Sequence, residues 1–392
     1  MAEDTDTDVP SIETYSRRSY LSGIGGGGLL LGTSALLFGA RGSDATEEPV
    51  ALEETGGFQA DEPEAVQDPD VIDLGEEGLD PGDEIDGYLS EYFESGEDVL
   101  IPAGEYEWTG EGLGGTYEDA TLVGAGEPGA VELRVPDGTD RYNAIQADGG
   151  EVRIENITLR GATGGDTSKV RVDALDPDAT LVFDTFWLPD GVEEGSEGNG
   201  IYVGKEHSGV VKFVDCWIEG FADNGLYASA PGTDDSEAGD GPVIVDGGLY
   251  RNNNISNVRI GSSESVVRGA TLVQDDIAPD NGGSINQRNL RIRQPGDDLL
   301  VQSCDIYHEI ENTHPVDFSS QFSGGSGRIR ATRIHTESDE SAVNDHDGDW
   351  SANRLHITGD GDDTVDIPAD NVCQDGSCQR ATPTAAEPIG DR

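Results

Sequence analysis

VKFVDCWIEGFADNGLYA, residues Val211 to Ala228, holds three short apolar runs: Val211–Phe213, Cys216–Ile218 and Leu226–Ala228. Asp215 marks a tight corner between the first two, and FADNG forms a longer one before the third. No run of that length buries an apolar face alone, so the stretch makes sense only if it recurs. Aligned on the octad VKFVDCWI, the chain yields VRIENITL from Val152, LVFDTFWL from Leu181, VIVDGGLY from Val243 and SVVRGATL from Ser265. LLVQSCDI from Leu299, GRIRATRI from Gly327 and the weakest copy, GDWSANRL from Gly348, continue the series. Third positions run from Ile154 through Phe183 and Phe213 to Ile329 and Trp350, and eighth positions from Leu159 to Leu355 are all large and apolar. Fifth positions are mostly Asn, Thr, Asp, Gly or Ser, which tolerate a sharp backbone corner.

A second module follows most octads: Ile201-Tyr202-Val203, Leu226-Tyr227-Ala228, Val258-Arg259-Ile260, Leu290-Arg291-Ile292 and Val316-Asp317-Phe318. Val343-Asn344-Asp345 and Val365-Asp366-Ile367 extend it less regularly. Strand-length pieces at a period of about 28 residues, without helical periodicity, predict an all-β solenoid. A sandwich of alternating strands would not need a corner residue at one place in every repeat.

Acidic residues outnumber basic ones 80 to 23, a formal net charge of −57. Such a charge argues against nucleic acid and anionic membrane surfaces as partners. It also strains the fold by self-repulsion, which molar salt screens to about 3 Å. The composition resembles that of proteins from extreme halophiles. Near the N-terminus, Ser16-Arg17-Arg18-Ser19-Tyr20-Leu21 precedes a Gly-rich apolar run to Ala40. That pattern resembles a twin-arginine export signal, with Arg17 and Arg18 as its pair, and implies an extracellular or cell-surface destination. The expected organisation is a signal over 1–41, an acidic disordered linker over 42–70, the solenoid over 71–367 and a tail over 368–392. The tail's Cys373 and Cys378 are spaced to close a small disulfide, whereas Cys216 and Cys304 lie too many repeats apart to bridge and read as reduced core residues.

Pro81 and the spacing of Ile85, Leu89 and Phe93 predict a short helix ending before Gly96, placed to cap the solenoid's first rung. Val99-Leu100-Ile101-Pro102-Ala103-Gly104-Glu105-Tyr106 then reads as strand and turn. A capping helix, a strand of the form LIPAGEYE and triple-strand rungs resemble the right-handed parallel β-helix proteins of the pectin-lyase-like type, over Val71 to Ile367. The resemblance implies an extracellular polysaccharide as partner, a monomer, and lyase or glycoside hydrolase chemistry if the protein is an enzyme. The same scaffold also carries non-catalytic surface proteins. In that family the octad looks like strands two and three, and the second module like strand one, which floors the substrate groove.

Alternation points the middle residue of each strand-one module outward. Tyr202, Tyr227, Arg259, Arg291 and Asn344 are the expected substrate-binding ladder, since aromatic faces stack on sugars and guanidinium forks bind carboxylates. Asp317, Asp345, His346 and Asp347 at its far end are the candidate catalytic set. Paired carboxylates there would serve a glycosidase, or with Asp347 could hold Ca²⁺ for a polyuronate lyase. The chain departs from family motifs: Arg293-Gln294-Pro295 begins the pectate-lyase arginine pattern, but Asp298 stands at its last basic position. Asn312-Thr313 is followed by His314 where polygalacturonases carry Asp.

Overall fold

The computed structural model describes residues 71–135, 143–162, 164, 169–233, 238–283, 285–294, 296–318, 324–344 and 348–374. The predicted signal with Arg17 and Arg18, the linker, Asp345, His346, Asp347 and Cys378 lie outside them.

Every strand pairing among the described residues is parallel and joins one rung to the next, the arrangement of a parallel β-helix. Strands two and three are hydrogen-bonded into one continuous sheet of 21 strands, and strand one forms a separate sheet of eight. That second sheet runs from Gly115–Tyr117 through Asn143–Ala147, Val170–Ala174, Ile201–Val203, Leu226–Ala228, Val258–Ile260 and Leu290–Ile292 to Val316–Phe318.

The octad corner explains the sharp bend between strands two and three. Asn156, Thr185, Asp215, Gly247, Gly269, Ser303 and Ala331, the fifth residues, all have φ between 47° and 75°. That left-handed conformation costs a non-glycine residue about 1–2 kcal/mol, so short polar side chains dominate there. Inside the coil the third positions stack rung on rung, from Ile154 through Phe183, Phe213, Val245, Val267 and Val301 to Ile329, all buried. Phe183 and Phe213 stack at 5.7 Å. Full burial of one such side chain stabilises by about 1.5–3 kcal/mol, and the stack repeats that gain along the whole axis.

The weakest copy departs from the expected frame. Ala352, not Trp350, pairs with Ile329, and Ile357, not Leu355, pairs with Ile334. The positive φ falls on Arg354. Trp350 instead pairs with Gly327, whose missing side chain leaves room for the indole, and its ring meets Phe318 at 4.7 Å.

At the N-terminal end α1, Asp86–Tyr92, covers the first rungs with Leu89 buried beneath it. Asp86 turns inward and accepts from the Thr109 and Glu111 backbone N–H groups, which ties the cap to the loop below. Gly112 lets helix and loop meet: a Cβ there would lie 2.7 Å from Leu89 Cβ. Cys216 and Cys304 are free and buried, and Cys373 is disulfide-bonded.

The turns leading into strand one are held by a buried amide ladder. Asn253 Nδ2 donates to Asn257 Oδ1 at 2.9 Å, Asn257 Nδ2 to Asn289 Oδ1 at 2.8 Å, and Asn289 Nδ2 to the Tyr307 carbonyl at 3.0 Å. Buried amides bonded on both sides fix the loop that aims each strand-one residue.

Candidate functional site

Four three-residue strands of the smaller sheet bury their outer residues and turn the middle one out. Ile201 and Val203, Leu226 and Ala228, Val258 and Ile260, and Leu290 and Ile292 are buried. Their middle residues stand in register with Arg171 and Asp317: Arg171 beside Tyr202, then Tyr227, Arg259, Arg291 and Asp317. At about 4.8 Å per rung these six residues extend for about 24 Å. Asn344 continues it past Asp317, donating from Nδ2 to Asp317 Oδ1 at 2.8 Å. The expected binding residues therefore form one line, with Arg171 added ahead of them.

The centre of the line is cationic. Tyr202 and Tyr227 meet edge to face at 5.2 Å, and the Arg259 guanidinium lies 3.9 Å from the Tyr227 ring centre. Arg259 also donates to Tyr227 Oη at 3.0 Å and to Ser229 Oγ at 2.7 Å. It forms no ion pair with a carboxylate among the described residues. Burial pulls its pKa down to about 10, with Arg291 and Arg293 adding to the pull and Tyr227 and Asp223 opposing it. An arginine remains charged at any physiological pH, so this is a desolvated cation held by a ring and two hydroxyls.

One rung on, Arg288 and Arg291 share a carboxylate. Their Nε atoms lie 2.6 Å and 3.1 Å from Asp317 Oδ2, and Asp317 is only 5% exposed. The N–H directions miss that oxygen, so the contact is electrostatic rather than hydrogen-bonded. Asp317, read from the sequence as half of a catalytic pair, is thus enclosed by two arginines and Asn344. Its proposed partner Asp345 and the neighbours His346 and Asp347 lie outside the described residues. His314 sits nearby with Nδ1 at 2.9 Å from the Ser341 carbonyl.

A second carboxylate faces the arginines from the loop before strand one. Asp223 is half-buried and accepts from Asn224 Nδ2 at 2.5 Å. Burial raises its pKa, opposed by Arg259 and Arg291 and assisted by Glu197. At the other end Arg171 is bracketed by acids, with Nε 2.8 Å from Asp173 Oδ2 and Nη2 2.5 Å from Glu206 Oε2.

Sequence reasoning missed Arg171, Asp223, Ser229 and Arg288. Arg171 had a signal, since VRV matches the strand-one module with an arginine in the middle. The other three lie at strand ends or in loops, where no periodicity marks which way a side chain points. Among the described residues no three His, Cys, Asp or Glu side chains converge as a metal site, and the Ca²⁺ expectation depended on Asp347. No helix among them is long and apolar enough to cross a membrane.

No protein-family model and no curated protein matches the chain. Among solved structures, ORF18 of Geobacillus virus E2 is similar at 14% identity and TM-score 0.48, over 78% of this chain and 60% of the viral one. The Agl-KA catalytic domain is similar at 12% identity and TM-score 0.41, over 78% of this chain and 68% of that domain. The fold stands on the register of its own strands: the chain is an all-β parallel β-helix, an architecture compatible with work on polysaccharides.

Proposed function

We propose that the strand-one face binds an anionic extracellular polysaccharide laid along the line from Tyr202 to Arg291. The observation that carries this reading is Arg259, a partly buried cation that forms no ion pair among the described residues, with Asp223 acting on it only through space, in a protein of net charge −57. Acidic side chains are abundant enough to neutralise any arginine, yet this one is met by a phenol and a serine. A desolvated guanidinium is costly unless an anion completes it, and a carboxylate or sulfate of a glycan would do so bidentately. Tyr202 and Tyr227 supply aromatic surface for the sugar rings. Asp317 then acts as the anchor that aligns Arg288 and Arg291. The reading includes export by the twin-arginine route and function in molar salt, where short directional contacts outlast long-range attraction.

A panel of uronate and sulfated polysaccharides titrated in molar salt tests it. Arg259→Ala and Arg291→Ala should each weaken binding about ten- to hundredfold, the worth of a charge-assisted contact. Arg330→Ala is the control, because Arg330 bonds Gln302 on the continuous sheet, away from the ladder. Equal losses from Arg330 and Arg259, or no retained polysaccharide at all, overturn the reading.

Asp223 favours a second reading, in which the bound chain is also cleaved. A carboxyl whose pKa is raised by burial, set beside cations that hold an anionic substrate, has the character of a general acid. Asp223→Asn should then abolish turnover with binding retained, and unchanged turnover would remove Asp223 from the chemistry.

A further inference from the structure

The outer face of the continuous sheet carries an aromatic corner that the strand-one reading does not use. Two of the chain's four tryptophans, Trp108 and Trp350, are buried. The other two, Trp187 and Trp217, stand at the seventh octad position on neighbouring rungs, in register and half-buried. Leu249 follows in the same row, also half-buried.

The two indoles are set differently. The Trp187 ring reaches back to the turn at Gly129, two rungs earlier, where a Cβ would lie only 2.8 Å from Cζ3. Glycine is what admits the ring there. Thr158 points outward from the rung between, in register with Trp187, yet is 3% exposed. The indole therefore lies flat along the sheet over that rung, and its outer face is the part that meets solvent. Its Nε1 donates to the Asp215 carbonyl at 3.3 Å, which fixes the ring from the other side. Trp217 meets it at a ring-centre distance of 5.7 Å and an interplanar angle of 69°. A ring at that angle to a flat neighbour stands up from the sheet, and its Nε1 donates to Glu219 Oε2 at 2.8 Å. Floor and wall form a pre-set aromatic corner whose N–H groups are both engaged.

The rim decides the occupant. Asp184 and the exposed Asp215 lie on the side of the octad bend, and Glu219 holds the wall. Carboxylate oxygens accept and do not donate, so they favour a ligand rich in hydroxyl donors and repel an anion. A second copy of this chain would bring a net charge of −57 against the same rim. A basic peptide suits the charge, but molar salt screens that attraction to about 3 Å, whereas stacking survives it. A sugar ring offers both an apolar face for the indole and hydroxyls for the acids.

We propose that the Trp187–Trp217 corner is a second glycan site, which stacks one uncharged sugar ring on Trp187 and against Trp217 while the rim carboxylates accept from its hydroxyls. The site stands on these residues and does not need the anionic reading of strand one.

The test titrates neutral cello-, malto-, manno- and xylo-oligosaccharides into the whole protein in molar sodium chloride. Acrylamide quenching of tryptophan fluorescence is the readout, because Trp108 and Trp350 are buried and Trp187 and Trp217 are not. At least one oligosaccharide should bind and protect the exposed indoles, and Arg259→Ala should leave that binding unchanged. Trp187→Ala, which removes the floor, should weaken it about tenfold, and Trp187→Tyr, which keeps an aromatic face, should restore most of the loss. Trp217→Ala should weaken it about two- to fivefold and tests the corner independently should the Trp187 variants fold poorly. Protection by none of the sugars, or equal binding by wild type and the folded tryptophan variants, overturns the site. Protection by an oligolysine peptide and by no sugar overturns the assignment of its occupant. Loss of acidic-polysaccharide binding, with neutral binding intact, would instead remove the arginine reading and leave this site standing.

Discussion

The two sheets of this β-helix treat arginine differently. On the continuous sheet of strands two and three, most arginines face acids on their own or adjacent rungs, while Arg330 bonds Gln302. Arg153 contacts Glu151, Glu155 and Asp184; Arg160 contacts Glu132 and Asp190; Arg268 contacts Asp246; Arg333 contacts Asp305. On the strand-one sheet Arg259 meets a phenol and a serine, and Arg288 and Arg291 divide one carboxylate. In a protein with more than three acids for every base, Arg259, Arg288 and Arg291 are enclosed cations with fewer carboxylate contacts than most. Exposed pairs of the first kind contribute little, about 0–1 kcal/mol, and salt screens them. The enclosed cluster of the second kind is expensive to hold, which is why it reads as a site and the ion pairs of the other sheet as a solvated face.

The largest effect that could break this contrast is the removal of the anchor. Asp317→Asn strips the shared charge from two arginines that are 13% and 16% exposed. Taking one partner from a buried pair costs about 3–5 kcal/mol. Asp246→Asn, whose pair with Arg268 is 39% exposed on both sides, should cost under about 1 kcal/mol. Denaturant unfolding in molar salt measures both. Equal losses would mean that the strand-one arginines are ordinary surface charges.

A second contrast lies in what holds the turns beside strand one. Two neutral imidazoles serve there instead of ion pairs. His207 bonds the Pro242 carbonyl at 3.2 Å, and His308 bonds the Thr313 carbonyl at 3.1 Å. Burial lowers the pKa of each to about 4 from an ordinary 6.5. Between those values the unfolded chain binds more protons than the fold. Stability from these groups is therefore complete above about pH 6.5 and lost as pH falls toward 4. Each contributes on the order of 3 kcal/mol to that loss. Carboxyls raised by burial, such as Asp173 and Glu219, act in the opposite direction, so a total curve is a poor readout. The stability gap between wild type and His308→Gln is a better one, and it should narrow by about 2–3 kcal/mol from pH 7 to 4. A constant gap would show that His308 does not titrate in this window.

What the sequence made legible follows from which constraints repeat. The rungs, the inward stacks and the line Tyr202, Tyr227, Arg259, Arg291, Asp317 were readable because burial alternates with a period of two and every corner demands a tolerant residue. The pairing of Arg288 with Asp317 was not, nor the position of Asp223, since loops carry no period. The amide ladder Asn253, Asn257, Asn289 escaped as well: asparagine signals a turn from sequence, whether its amide faces solvent or the core. The last rung was misread for a different reason. A shift of two residues preserves the alternation of inward and outward side chains, so parity alone cannot detect it, and Trp350 offered an attractive but wrong third position.

That last rung also gives the smallest and most discriminating prediction, because the ion-pair pattern of the continuous sheet depends on the register being right. In the structure Arg354 occupies the corner at φ 55° and is exposed, while Ala352 is buried beside Ile329. Arg354→Gly removes the strain of a side chain in the left-handed region, about 1–2 kcal/mol. It also loosens the unfolded chain, which takes back about 0.4–1 kcal/mol. The net should be a gain of about 0.5–1 kcal/mol. Ala352→Gly relieves no strain and loses both a buried methyl and backbone restriction, so it should cost about 1 kcal/mol or more. If the corner instead lay at Ala352, as the octad alignment alone would have it, the two signs would exchange. Thermal unfolding of both variants in molar salt separates the frames, since the two substitutions move stability in opposite directions whatever the baseline.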